Sequence, residues 1–137
     1  MALRHEEIVQ RVMLQWSREG RGRLFKNPNG KAWRGRITDE RMVDGRKVIE
    51  LFDAVMLRYG LIAGSSDLIG WELAEYIDIG HEPVTLPIIC VIEVKTIAHK
   101  RLDPDQRNWF DTIAGIGGRA YLAMECGDGY DLRKWEI

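Results

Sequence analysis

The sequence predicts a mixed α/β fold, a central β-sheet flanked by helices in the order α-β-β-β-α-β. Three stretches carry that expectation. Apolar residues recur with helical period near the N-terminus, and a continuous apolar run at 88–94 has the length of a buried strand. A second helix opens on a capped, proline-led turn at 103–106. The chain has 137 residues, which fits one domain over 1–137 and is enough to bury a proper core.

Residues 4–18 read as a helix because Ile8, Val9, Val12, Met13 and Trp16 share one stripe, with Glu, Gln and Arg on the other face. Gly20 and Gly22 end it. Asn27-Pro28 and Asn29-Gly30 make 24–35 a turn-rich loop or hairpin. The chain is extended from Ile37, with Asp44-Gly45 as a hairpin turn, and 48–61 reads as a strand pairing near 55–59. Gly64-Ser65-Ser66 bends sharply before Asp67, where small residues let a backbone or a phosphate come near. Residues 71–87 contain Gly80 and two prolines and read as a long acidic connection with Glu72, Glu75, Asp78 and Glu82. That connection is expected to be a hairpin arm for dimer contact or for excluding wrong substrates.

The run at 88–94 is apolar on both faces and so is expected at the centre of the sheet, covered on both sides. Asp103, Pro104 and Gln106 take the N-cap, N1 and N3 places of a capping box. Trp109, Phe110, Ile113 and Ile116 are the buried stripe of this helix, and Gly117-Gly118 stop it. A closing strand follows at 120–124.

No apolar run approaches the ~20 residues that span a bilayer. The start, MALRHEEIVQ, carries charge where a signal peptide would be apolar. Cys90 and Cys126 are too few for a disulfide framework or a zinc site, and Cys90 reads as a small buried hydrophobe. A reducing cytoplasm is the expected home. The net charge of −1 does not advertise nucleic-acid binding, but seven basic residues between Arg18 and Arg36 face a single acid, Glu19. Such a patch suits phosphate contact, and it equally suits a solvated loop. The tryptophans fall mostly on apolar faces; Trp33, among Lys31, Arg34 and Arg36, could stack on an unpaired base. His5, His81 and His99 lack metal-ligand spacing, and there is no Walker loop, dinucleotide fingerprint or Ser-His-Asp arrangement.

The chemistry is concentrated in IEVK, 92–95. On a strand, Glu93 and Lys95 leave one face while Val94 enters the core. Asp67, at the head of another short apolar run, can add a second carboxylate. Mg²⁺ takes hard oxygen ligands, lowers the pKa of its water and screens charge on a phosphoryl group, while a lysine beside it stabilises developing negative charge. That set suits phosphodiester hydrolysis.

Glu6 with Val9-Gln10, Asn27 to Gly30, GSSDLIG (64–70), IEVK and DPDQRNWF (103–110) occur in order. Together they resemble a VRR-NUC (virus-type replication-repair nuclease) domain of the PD-(D/E)XK nuclease superfamily, over nearly the whole chain. The resemblance implies a restriction-endonuclease-like core and Mg²⁺- or Mn²⁺-dependent DNA cleavage. Stand-alone members of this size resemble phage and bacterial enzymes, often homodimeric, that act on branched DNA such as four-way (Holliday) junctions. It also implies metal binding by Asp67, Glu93 and the carbonyl of Val94, with Lys95 as the catalytic lysine. Gln106 would orient the lysine or the scissile phosphate, and Glu6, with Glu7 as competitor, would position a water at the metal. Arg21, Arg23, Lys26, Asn27, Lys31, Arg34, Arg36 and Lys100 are the residues expected on DNA.

Each assignment has a plainer counterpart. Glu6 also suits the positive end of its helix, Gln106 satisfies a capping box without chemistry, and Asp67 can cap the Ser-Ser turn. Other functional readings are a restriction-like or single-strand/flap nuclease and a non-catalytic DNA-binding module on the same fold.

Overall fold

The structure is a computed structural model describing residues 4–76, 80 and 82–137. It divides into two compact units, one of residues 1–27 with 62–137 and one of Pro28–Leu61.

The larger unit is built on a five-stranded mixed sheet. Helix α1 (His5–Arg18) leads into β1 (Gly22–Lys26); β4 (Leu68–Tyr76), β5 (Val84–Lys95), α2 (Pro104–Gly115), β6 (Arg119–Cys126) and β7 (Gly129–Lys134) follow the smaller unit. The sheet order is β1-β4-β5-β6-β7, so the strand carrying IEVK is central, as its two-faced apolarity requires. β5 and β6 run parallel through the α2 crossover, and the other pairs are antiparallel.

Alternation along β5 sends residues to two separate cores. Cys90, Ile92 and Val94 pack with Leu24, Leu68, Tyr121 and Ala123 under the α1 stripe of Ile8, Val9, Val12 and Trp16. Val91 faces the other way, with Ala120 and Leu102, against Phe110 and Ile113 of α2. Glu93 and Lys95 therefore stand on the α2 side while Val94 is in the α1 core.

The smaller unit is a two-stranded hairpin of β2 (Gly30–Val43) and β3 (Arg46–Tyr59), joined at Asp44-Gly45. Both turn residues have positive φ, 49° and 74°, as a tight primed turn demands.

Four expectations need correction. Residues 24–35 are not a loop: strands β1 and β2 take all but a short turn at 27–29. The connection at 71–87 has the hairpin form expected of the arm, but as two strands of the main sheet. Its residues form most of the β4–β5 hairpin, with Glu72 opposite Ile88 and Leu73 opposite Pro87. Asp78 and His81 lie outside the described residues. The strand count rises to five before α2 and two after it, because β7 pairs β6 from Cys126 to Tyr121. Ile116 is 70% exposed, since α2 has ended by then and Ile116 is its C-cap.

Candidate active site

The bend before β4 and the end of β5 meet because β4 stops one pair short. Leu68 pairs with Ile92, and beyond it Val94 has no strand on that side. Asp67 fills the gap: its Oδ2 accepts the Val94 N–H at 2.8 Å. In a strand the carbonyl of a residue faces the same edge as its N–H, so the Val94 carbonyl faces this gap too. The Asp67 N–H in turn donates to Glu93 Oε2 at 3.3 Å.

The bend is held from three sides. Asn27 donates its backbone N–H to the Asp67 carbonyl (2.8 Å) and its side-chain amide to Ser65 Oγ (3.0 Å) and the Ser66 carbonyl (2.9 Å). Trp109 of α2 donates Nε1–H to the Ser66 hydroxyl at 3.2 Å. Gly64 has φ +82°, and a Cβ there would enter the backbone of Asp105, so the bend sits directly on the first turn of α2.

That first turn supplies Gln106. Its Oε1 accepts from Lys95 Nζ at 2.8 Å and from the Asp103 N–H at 3.1 Å, while its Nε2 donates to Glu93 Oε1 at 2.5 Å. Lys95 Nζ is 3.3 Å from Glu93 Oε1. Asp67, Glu93, Lys95 and Gln106 thus form one hydrogen-bonded cluster. Glu93 is 5% exposed, and its carboxyl is pushed up to about 7, by burial first and by the Asp67 carboxylate second, against the pull of Lys95.

The VRR-NUC domain model matches residues 46–124, more than half of the chain. The chain belongs to the VRR-NUC family. No curated protein matches it. A VRR-NUC domain implies a nuclease of the PD-(D/E)XK type with DNA as its substrate, and domains of that type generally use divalent metals. The matched span contains the whole Asp67-Glu93-Lys95-Gln106 cluster.

The donor set of this VRR-NUC site fits a divalent cation. Two hard carboxylates stand together, and the buried one resists ionisation because of its burial first and of the other carboxylate second; a cation between them would offset both. Among the described residues no group of three or more His, Cys, Asp or Glu could hold a metal, so backbone, water and phosphate oxygens must supply the remaining ligands.

The other expected site residues are distributed as follows. Glu6 is exposed and forms an ion pair with Lys26. Glu7 reaches back to the Arg4 N–H at 2.7 Å, a capping contact. Arg21 stacks on Trp16, 3.9 Å from the ring centroid, and donates to Glu72 at 3.0 Å. Asn27 is the buttress just described, Arg23 is exposed on β1, and Lys100 lies on the loop after β5. Lys31, Arg34, Arg36 and the exposed Trp33 belong to the hairpin unit, where Arg36 sits 5.1 Å over the Phe52 ring.

Sequence reasoning passed over His5. Its Nε2 is 3.2 Å from Asp67 Oδ2, brought there by the α1 stripe. His5 precedes Ile8, Val9 and Val12 at i+3, i+4 and i+7, and this periodicity, unlike metal-ligand spacing, would have placed it at the exposed end of the α1 stripe.

Proposed function

We propose that this VRR-NUC protein is a Mg²⁺- or Mn²⁺-dependent DNA endonuclease that cuts branched DNA, four-way junctions foremost, as a homodimer. The observation that carries the reading is the contiguous Asp67-Glu93-Lys95-Gln106 cluster at the open edge beyond β4. Asp67, Glu93 and the Val94 carbonyl would hold the cation. When bound, it activates water and neutralises charge on the phosphoryl group.

The chain's own residues do the rest. Gln106 fixes Lys95 by one hydrogen bond and Glu93 by another, so both enter the reaction already oriented. Lys95 donates to the attacking water or to a non-bridging phosphate oxygen as charge grows there. A bond forms between the water oxygen and phosphorus and the bond to the 3′ oxygen breaks; the water gives a proton to solvent and the departing 3′ oxygen takes one from solvent, leaving a 5′-phosphate and a 3′-hydroxyl. Glu6, paired with Lys26 at the start of α1, supports water near the site. Arg23, Lys26, Lys31, Arg34, Arg36 and Lys100 contact the DNA backbone. One chain has one such cluster, so symmetric cutting of two strands calls for a twofold pair.

The test is cleavage of a labelled four-way junction beside linear duplex of the same sequence, in Mg²⁺, Mn²⁺ or EDTA, with wild type and Lys95→Ala. Metal-dependent paired nicks near the branch point, lost in the variant, are expected. Equal cutting of linear duplex overturns the junction preference, and metal-independent binding without cleavage overturns the enzyme.

A further inference from the structure

The active site uses only the first turn of α1. Farther along, Arg11 and Arg18 lie seven residues apart and so share one flank of the helix. This flank faces the β6–β7 turn, where Arg11 donates to the Asp128 carbonyl, whereas Glu6 on the opposite flank meets Lys26 of β1. A groove of about 350 Å³ opens here, lined by Arg11, Leu14, Gln15, Arg18, Gly129 and Tyr130.

The polar groups of the groove are ordered. The Tyr130 hydroxyl donates to Gln15 Oε1 at 2.6 Å, and Gln15 Nε2 donates to Glu19 Oε1 at 2.7 Å. The acids nearby are Glu7, engaged with the Arg4 N–H, Glu19, and Asp128, which meets Arg11 through its carbonyl. Among the described residues no carboxylate stands within ion-pair distance of Arg11 or Arg18. Two guanidinium groups thus flank an open groove with no ion pair to a carboxylate among the described residues.

The groove adjoins the catalytic edge. Lys95 lies beside Met124 in the parallel β5–β6 pair, so the turn after Cys126 emerges past the same edge. His5, the first residue of the same helix, touches Asp67. At 1.5 Å per residue, Arg11 and Arg18 stand ~9 and ~20 Å along the helix from His5. At 3.4 Å per base pair these are ~3 and ~6 base pairs.

We propose that the groove between α1 and β7 is a second phosphate-binding site, in which Arg11 and Arg18 grip the DNA backbone about three and six base pairs from the scissile phosphate. This rests on the nuclease reading above. It gives the small domain a track for the arm leading away from the cut, with positive charge where a duplex would pass.

The experiment measures salt-dependent affinity for a junction and a 20-base-pair duplex by fluorescence anisotropy, in Mg²⁺ and a Lys95→Ala background that blocks cleavage. Arg11→Gln/Arg18→Gln should lower the slope of log K against log salt by about 1.8, from ~0.9 per phosphate contact. Arg11→Lys/Arg18→Lys should retain most of it, which separates lost charge from a damaged fold. Ethylation interference should mark the phosphates about three and six positions from the cut. An unaltered slope, or interference confined to the scissile region, overturns the groove while the nuclease stands. Cleavage by protein with Lys95 intact, run with and without Glu93→Gln, judges the nuclease separately. Absence of DNA binding by the parent protein overturns the groove as well.

Discussion

Glu93→Gln gives the sharpest test of the site, because its effect can be worked out before any substrate is found. In the metal-free protein the Glu93 carboxyl is raised from about 4.5 to about 7 by burial and by Asp67. A gap of about 2.5 pH units at about 1.4 kcal/mol per unit is about 3 kcal/mol. The sign follows from the direction of the shift. A raised carboxyl binds its proton more tightly when folded, so its stabilisation is fully present below about pH 4.5 and is lost as pH rises through about 7. A chain of this size unfolds with an entropy of about 0.29 kcal/mol/K, so the loss amounts to about 10 °C in Tm. Thermal unfolding in EDTA from pH 5 to 8 should show the wild type falling about 10 °C more than Glu93→Gln. Adding Mg²⁺ at pH 8 should restore much of that in the wild type and little in the variant, because the cation takes the proton's place. Parallel pH profiles for the two proteins would refute both the strained carboxyl pair and its use as a cation site.

Other substitutions test the supports. Glu72 is buried and accepts from Arg21 (3.0 Å), Arg119 (3.1 Å) and the Tyr121 hydroxyl (2.6 Å). Glu72→Ala strands two arginines and should cost about 3 kcal/mol in chemical denaturation, with no dependence on metal. Asn27→Ala frees Ser65 and Ser66, and should cost about 1–3 kcal/mol in the same assay and weaken Mg²⁺ binding by calorimetry as Asp67 loosens. Gly64→Ala combines a positive φ with a collision at Asp105 and should lower both Tm and cleavage rate, whereas Gly127→Ala, with open space at its Cβ, should lower Tm less.

Both helices, the Asp44-Gly45 turn and the central strand could be read from the chain, since each is written in a local pattern: a stripe, a cap, a primed turn, an apolar run. The β4–β5 hairpin could be read as an arm but not as two strands of the main sheet, and Pro87 shows why. Val94 turns its N–H toward β4, so alternation turns position 87 toward β6, yet β6 pairs only from Cys90 onward. The proline therefore meets no ladder partner on that side, and a residue that usually argues against a strand is harmless here. The cluster itself was legible in residue type but not in linkage. Only the fold shows that Asn27 and Trp109, far apart in sequence, both clamp one bend through Ser66. The stripe could have placed His5, but its partner Asp67, 62 residues away in sequence, appears only in the fold.

Gln106 serves two structures with one amide. Its oxygen closes the capping box on the Asp103 N–H and also holds the Lys95 amine, while its nitrogen holds Glu93. Fraying of a single helical turn would therefore release the lysine and the carboxylate together. Order in that turn and competence of the site are one and the same variable, so protection of the Asp103 and Gln106 amides against hydrogen exchange is a substrate-free gauge of how much of the protein is ready to react.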